Sequence, residues 1–247
     1  MKPFVLLATR AEDLAADDEY AAMLRFTGLD EHELLRVRLE RPDAPPAAGL
    51  DLDALSGVIL GGSPFTTSDS PESKSAAQVR VEADVAALLD RVVAEDRPFL
   101  GACYGVGTLG VHQGGVVDQT FREPIGPVKV ELTGDGAVDP LTSVLPGSFE
   151  AFVGHKEAVT TLPPHAVLLA TSAACPVQAF RVGRHVYATQ FHPELDVPGL
   201  QTRIDVYRDY GYFEPHEADW VKATAAQSAV SEPPRMLRRF VELYARD

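Results

Sequence analysis

The sequence predicts an α/β fold with a doubly wound, largely parallel sheet flanked by helices. Two observations lead to this prediction. Through residues 1–113, short apolar runs alternate with amphipathic segments in the order strand, helix, strand, strand, helix, strand, helix. The runs VILGG at 58–62 and PFLGAC at 98–103 are apolar almost throughout. Such runs are typical of parallel strands that are buried on both faces.

Each early element follows from its local pattern. The apolar run 4–8 predicts the first core strand, and the acidic stretch after it has apolar residues at helical spacing. A second short strand is predicted over 34–39, before a proline-rich loop. The strongest helix is predicted over 73–95, starting just after a proline, with an i,i+4 ion pair between Arg80 and Asp84.

The second half of the chain adds strands rather than a new domain. After Val128 the predicted strands, separated by glycine and proline turns, have the sequences VKVEL, FEAFVG, AVLLAT, VQAFRV and VYATQF. Helical patterns return in 202–212 and 233–245. We therefore expect one domain over residues 1–198 and a C-terminal helical extension over 199–247 that packs on the same domain.

The extension is the part of the chain whose role the sequence explains least. Its aromatic residues either pack the helices against the sheet, which is the more ordinary role, or form a homodimer contact or cap the site. They are Tyr207, Tyr210, Tyr212, Phe213 and Trp220. The nearby arginines are expected on a solvated helix face, and they are Arg235, Arg238 and Arg239.

Composition and charge argue against several classes of protein. With 45% hydrophobic and 23% charged residues, the 247-residue chain resembles an ordinary globular protein. A formal net charge of −14 repels phosphate backbones, so we expect no nucleic-acid partner. The N-terminal apolar run is too short for a signal peptide or a membrane span. The two cysteines form no disulfide framework and no zinc-ligand spacing, so we expect a cytoplasmic protein without a metal or cofactor.

The stretch GACYGVGTLG, residues 101–110, places Cys103 between a predicted strand and a predicted helix over 104–113. The flanking glycines permit a sharp turn and leave the sulfur unshielded, which is the geometry of a nucleophile elbow. A helix N-terminus also lowers the pKa of a thiol, because its unpaired N–H groups stabilise the thiolate. The alternative is a small buried side chain, since free cysteine is among the most buried residues.

A nucleophilic cysteine needs a base, and usually a third group that orients the base. In ATQFHPEL, residues 188–195, the side chains of His192 and Glu194 point to the same side of an extended chain. Pro193 favours this extended geometry at His192. Taken separately, these two are an ordinary histidine and a solvated carboxylate. Together with Cys103 upstream, they predict a Cys–His–Glu triad.

The motifs LGACYG, QFHPE and ILGG together resemble the class I (triad) glutamine amidotransferases. The residues of these motifs are most similar to those of the glutaminase domain of GMP synthase and its stand-alone relatives, and the similarity covers roughly residues 50–198. The resemblance implies a flavodoxin-like fold and glutamine as the substrate. It implies that Cys103 attacks the side-chain amide, releases ammonia and leaves a γ-glutamyl thioester that water converts to glutamate. His192 would carry the proton, and Glu194 would fix the imidazole tautomer.

The resemblance also implies further site residues. The backbone N–H groups of Gly62 and Tyr104 match the oxyanion-hole donors, and Gly61 lies beside them on the substrate side. His155 matches a histidine that flanks the glutamine pocket, but a glycine replaces the serine before it, so a plain turn is an equal alternative. Gly107 stands where the family elbow carries a glutamine that helps hold the substrate. This departure puts glutamine affinity in question and leaves the cysteine chemistry intact.

The sequence contains no segment that would consume ammonia. It has neither a Walker-type loop nor an ATP pyrophosphatase loop, so an ammonia acceptor would either belong to a separate synthase subunit or not exist. Two alternatives stay open beside the glutaminase. One is a γ-glutamyl hydrolase of a peptide or polyamine conjugate, for which Gly107 would leave room in the pocket. The other is a degenerate fold that serves as a binding or regulatory subunit.

Overall fold

A computed structural model describes residues 1–247 as a nine-stranded sheet with helices on both faces and a separate two-stranded sheet. The strands are β1 (Phe4–Ala8), β2 (Leu34–Arg38), β3 (Gly57–Leu60), β4 (Phe99–Ala102), β5 (Val116–Asp118), β6 (Glu123–Leu132), β7 (Ser148–His155), β8 (Ala158–Thr161), β9 (Val167–Ser172), β10 (Ala179–Val182) and β11 (Val186–Thr189). The helices are α1 (Asp13–Thr27), α2 (Ala76–Ala94), α3 (Tyr104–His112), α4 (Gly134–Val138), α5 (Val197–Val206), α6 (Ala218–Ala226) and α7 (Pro234–Tyr244).

The large sheet has a parallel half and an antiparallel half. Its strand order is β2-β1-β3-β4-β11-β10-β9-β6-β7. The pairs from β2 to β11 are parallel, and the pairs from β11 to β7 are antiparallel. Parallel neighbours need a crossover between them, which α1 and α2 provide after β1 and β3. The predicted α/β fold with a helix-flanked sheet is confirmed, and the strands of the second half form its antiparallel extension.

Side chains that alternate along the central strands form two separate cores. On one face, Val5 and Leu7 of β1 pack with apolar residues of α2 and α3. On the other face, Phe4 and Leu6 pack with residues of α1 and α7, among them Phe240. All five residues of β1 are buried, as the apolar run predicts for a strand covered on both sides.

The extension differs from its predicted helices. Helix α5 ends at Val206 instead of 212, and α6 occupies a stretch where the sequence pattern predicts no helix. Leu200 and Ile204 of α5 pack with α6 and with Phe152 of β7 in a third apolar cluster. Asp196 caps α5 by accepting a hydrogen bond from the Gly199 N–H at 2.9 Å. None of the helices combines the length and the apolar character that crossing a membrane requires.

The predicted ion pair between Arg80 and Asp84 of α2 is wrong. Asp84 instead accepts hydrogen bonds from the backbone N–H groups of Ala47 and Ala48, at 2.6 and 2.9 Å. Arg80 donates to the Glu40 carbonyl at 3.1 Å. These two side chains connect the proline-rich loop to α2. Each bonds to backbone groups of the loop that would otherwise lack a partner, instead of to the other side chain on the helix.

Candidate active site

Cys103 lies between the end of β4 and the start of α3, in a conformation that L residues rarely adopt. Its φ is 53° and its ψ is −84°. The Cys103 N–H donates to the Thr189 carbonyl at 2.7 Å, and its carbonyl accepts from the Val106 N–H at 2.9 Å. A Cβ at Gly101 would lie only 2.7 Å from the Gly105 Cα, so the strand and the helix meet closely here. The turn thus holds a strained cysteine at the end of a parallel strand.

The Cys103 thiol is enclosed by the surrounding segments. Its Sγ lies 4.0 Å from the Gly154 carbonyl oxygen and 4.0 Å from Gln190 Nε2. Burial raises the pKa of Cys103 to about 12, against the opposing charges of Arg10 and Arg203. The cost of desolvating a thiolate thus outweighs the lowering of the pKa that is expected from the helix N-terminus.

His192 and Glu194 lie side by side after β11. His192 Nδ1 is 2.8 Å from Glu194 Oε1, and the His192 backbone N–H donates to the Phe152 carbonyl at 2.9 Å. Burial lowers the pKa of His192, although the negative charge of Glu194 opposes this effect. Burial alone would raise the pKa of Glu194, but the attraction of His192 and Arg203 holds it well below its ordinary value. The site at rest thus combines a neutral imidazole with an ionised carboxylate.

Cys103 and His192 line the same cavity, and no hydrogen bond joins the sulfur to the imidazole in this structure. Tyr212, from the segment between α5 and α6, lines this cavity and the neighbouring one that also contains Cys103. The Lys156 ammonium lies 4.8 Å from the centre of the Tyr212 ring. Beyond Tyr212 a polar cleft of about 510 Å³ opens, partly lined by Arg122 and Lys156. The extension therefore contributes two aromatic side chains, Tyr207 and Tyr212, to the lining of the cavity.

Gly61 and Gly62, directly after β3, border the same cluster. A Cβ at Gly62 would lie 2.7 Å from His192 Cε1, and a Cβ at Gly61 would lie 2.7 Å from Glu19 Oε2. Only glycine fits at these two positions without displacing a neighbour. Tyr104 is the first residue of α3, so its N–H has no partner within the helix. The structure thus places Gly62 beside the imidazole of His192 and Tyr104 in the lining of a cavity that contains Cys103, whereas Gly61 faces Glu19.

Gly107 does not leave an open space. A Cβ at this position would lie 2.6 Å from Glu157 Oε1 and 2.9 Å from Thr67 Oγ1. The Glu157 carboxylate is held by the backbone N–H groups of Thr67 and Ser68, at 2.8 and 2.7 Å. The expectation that Gly107 makes room for a larger conjugate is therefore wrong. Glu157 lines a cavity beside Cys103, and sequence reasoning missed it because it lies 50 positions from Gly107.

His155 is buried at the end of β7, beside the Cys103 cavity. Its Nε2 lies 2.9 Å from Glu123 Oε2, and its Nδ1 lies 2.9 Å from the Glu157 carbonyl oxygen. Cys175 lies close by, with its sulfur and one ligand atom from each of Glu123 and His155 within 4.8 Å of one another. Because both ring nitrogens are engaged, these contacts hold the segment that carries Glu157 beside the cavity.

A buried charge network that sequence reasoning missed surrounds the His192–Glu194 pair. Arg203 Nη2 donates to Glu194 Oε1 at 2.7 Å and to Glu19 Oε1 at 3.2 Å. Arg10 Nε donates to Glu19 Oε1 at 3.0 Å. The two arginines and two glutamates come from a loop after β1, from α1, from the segment after β11 and from α5. No local spacing in the sequence connects these elements, so the network has no sequence signal.

Comparisons with curated proteins relate the chain to amidotransferases. A family model for glutamine amidotransferase class-I matches residues 31–202. The chain is 32% identical over 146 residues to a GMP synthase [glutamine-hydrolyzing] of Mannheimia succiniciproducens, covering 57% of this chain and 25% of that protein. It is 30% identical over 184 residues to that of Methylibium petroleiphilum, covering 72% of this chain and 32% of that protein. The chain thus spans a third or less of these relatives' length.

Solved structures show the same fold. A glutamine amidotransferase of Thermotoga maritima matches with a TM-score of 0.76 and 20% identity, covering 100% of both chains. A putative GMP synthase subunit of Thermoplasma acidophilum matches with a TM-score of 0.67 and 20% identity, covering 99% of this chain and 95% of that one. The family model spans more than half of the chain, and the fold agrees with it. This protein therefore belongs to the glutamine amidotransferase class-I family.

Proposed function

We propose that this protein is a cysteine-dependent glutaminase that hydrolyses the side-chain amide of glutamine to glutamate and ammonia. The observation that supports this most directly is the strained Cys103 at the end of a parallel strand, in one cavity with the buried His192–Glu194 pair. Membership of the family supports amide chemistry at this cysteine.

The reaction begins with transfer of the Cys103 proton. When His192 Nδ1–H donates to Glu194, the free lone pair of Nε2 accepts the thiol proton while sulfur attacks the amide carbon. The S–C bond forms, and the carbonyl oxygen becomes an oxyanion. The backbone N–H groups of Gly62 and Tyr104 would stabilise it. The C–N bond then breaks as Nε2–H protonates the departing nitrogen, which leaves as ammonia.

Hydrolysis of the γ-glutamyl thioester uses the same groups in reverse. A water molecule gives one proton to His192 Nε2 while its oxygen attacks the thioester carbon. The C–S bond breaks, and His192 returns its proton to the sulfur. Glutamate leaves, and the neutral thiol of Cys103 is restored. Because burial raises the pKa of that thiol, the thiolate forms as the substrate is attacked and does not accumulate beforehand.

The enclosure of the cavity supports a small substrate. Tyr212 lines the same cavity as Cys103, and Glu157 occupies the space beside Gly107, which favours free glutamine over a bulky γ-glutamyl conjugate. The ammonia would pass to a separate synthase chain, and the names of the GMP synthase relatives support such a partner. We place this activity in the cytoplasm, where both cysteines stay reduced.

The test is the release of glutamate and ammonia from glutamine by the wild type and by Cys103→Ala. We expect the variant to lose more than about a thousandfold in kcat, the scale of removing a nucleophile. Cys175→Ala is the matched control, because Cys175 is buried outside the cavity and should leave turnover in place.

Two other outcomes would change the assignment. Turnover of γ-glutamyl amines or peptides without turnover of free glutamine would identify a γ-glutamyl hydrolase. No turnover of either substrate, even at saturating concentrations, would favour a binding or regulatory protein.

A further inference from the structure

Arg203 of α5 contacts both members of the His192–Glu194 pair. Its Nη1 lies 2.9 Å from His192 Nδ1, and its Nη2 donates to Glu194 Oε1 at 2.7 Å. The Arg203 side chain is 4% exposed, and Glu194 is fully buried. This arginine belongs to the stretch 199–247, and none of the catalytic roles stated above uses it.

Arg203 and Glu194 compete for the same ring nitrogen of His192, Nδ1. A guanidinium carries only donors, and each ring nitrogen of a neutral imidazole either donates or accepts. His192 Nδ1 therefore either donates to Glu194 or accepts from Arg203, but not both. In the first arrangement Nε2 is free to take a proton from Cys103. In the second arrangement the ring proton lies on Nε2, and the imidazole cannot act as the base.

Glu19 of α1 limits how strongly Arg203 acts on the ring. Glu19 Oε1 accepts from Arg203 Nη2 at 3.2 Å and from Arg10 Nε at 3.0 Å. The four groups Arg10, Glu19, Glu194 and Arg203 are at most 4% exposed and carry two charges of each sign. Removing four charges from water is unfavourable before they pair, so apolar packing would hold this region at lower cost.

We propose that Arg203 is a positioning residue that sets the proton affinity and the tautomer of His192. Its positive charge favours the neutral imidazole, and its hydrogen bond holds the Glu194 carboxylate against Nδ1. The negative charge of Glu19 partly offsets the effect of the Arg203 charge on the ring. The proposal rests on the proposed glutaminase activity for its kinetic test, and on the free protein for its second test.

Charged and titratable groups from several segments face His192. Glu194 lies on its own segment, Arg203 on α5, Arg10 on the loop after β1, and Cys103 on the turn after β4. Removing the Arg203 charge leaves the attraction of Glu194 opposed only by Arg10, so the imidazole binds a proton more readily. In Arg203→Gln the acid limb of kcat/KM then moves to higher pH by about one unit, the effect of one nearby charge. Glu19→Gln has the opposite sign and moves the limb to lower pH.

The kinetic test measures kcat/KM for glutamine against pH in Arg203→Gln, Arg203→Lys and Glu19→Gln. Arg203→Lys keeps the charge, so its limb stays within about 0.3 pH units of the wild type while kcat falls. Arg208→Gln is the matched control, since Arg208 lies two residues after α5 with its side chain 47% exposed, and its limb should not move. Circular dichroism establishes that each variant is folded. If Arg203→Gln does not fold, the other two variants test the proposal. The proposal then requires the acid limb of kcat/KM to move to lower pH in Glu19→Gln and to stay in place in Arg203→Lys.

The second test reads His192 without turnover. Nitrogen-15 NMR of the free protein follows both ring nitrogens through a pH titration, and we expect His192 in folded Arg203→Gln to take up its proton at higher pH than in the wild type. The proposal would be overturned if the acid limb of kcat/KM and the NMR titration of His192 were both unchanged in Arg203→Gln and in Glu19→Gln. An inactive wild type in which the NMR shift is present would instead overturn the glutaminase assignment alone.

Discussion

Replacing Gly62 with alanine would place a methyl group against the imidazole of His192. The new Cβ would lie 2.7 Å from His192 Cε1 and 2.5 Å from Arg10 Nη2, whereas ordinary contacts begin at 3.4 Å. The ring must therefore withdraw by about 0.7 Å, or Gly62 must move with its N–H away from the oxyanion position. A misplacement of about 1 Å costs roughly a hundredfold in rate. We expect kcat/KM to fall at least about 30-fold, or about 2 kcal/mol of transition-state stabilisation.

The assay for Gly62→Ala follows glutamate release from glutamine, with thermal unfolding measured on the same preparations. Gly147→Ala is the matched control, because its Cβ would meet no atom within 4 Å and its φ is not positive. We expect the control to keep wild-type kcat/KM. A Gly62→Ala enzyme within about threefold of wild type, with equal stability, would refute the placement of Gly62 against the imidazole and in the oxyanion hole.

Three further changes test other parts of the site. Tyr212→Ala should uncover Cys103 and raise its alkylation rate by iodoacetamide at pH 8 by about tenfold, which corresponds to one pKa unit of a thiol released from burial; an unchanged rate would contradict the capping role. Gly107→Gln should lower the free energy of unfolding by about 1–3 kcal/mol, because the new side chain meets the Glu157 carboxylate, and urea unfolding at wild-type values would contradict this packing. The pKa of Glu194 is lower in the folded protein than its ordinary value of 4.5, so its stabilising contribution is present above that pH and is lost as the pH falls below it. Urea unfolding midpoints should therefore fall less on acidification in Glu194→Gln than in wild type, and equal slopes would argue against an ionised Glu194.

Local patterns predicted most of the fold. The alternation of apolar runs and helical segments predicted the parallel half of the sheet, because a strand covered on both faces must be apolar throughout. The extension was predicted less well, since α6 and the end of α5 depend on packing against Phe152 of β7. The ion pair between Arg80 and Asp84 failed for a related reason, because backbone groups of a distant loop compete for both side chains.

The sequence by itself determined the elements of the site that depend on neighbours along the chain. A cysteine between glycines at a strand end forms the strained turn at Cys103, and an extended chain places His192 and Glu194 side by side. The tertiary structure alone decided the properties that depend on distance in space. Burial raises the pKa of the thiol, and Arg203 comes from a helix outside the triad motifs to contact His192. The physical reason is that desolvation and charge pairing depend on which groups lie close together in the folded protein. Residue spacing along the chain does not reveal these contacts.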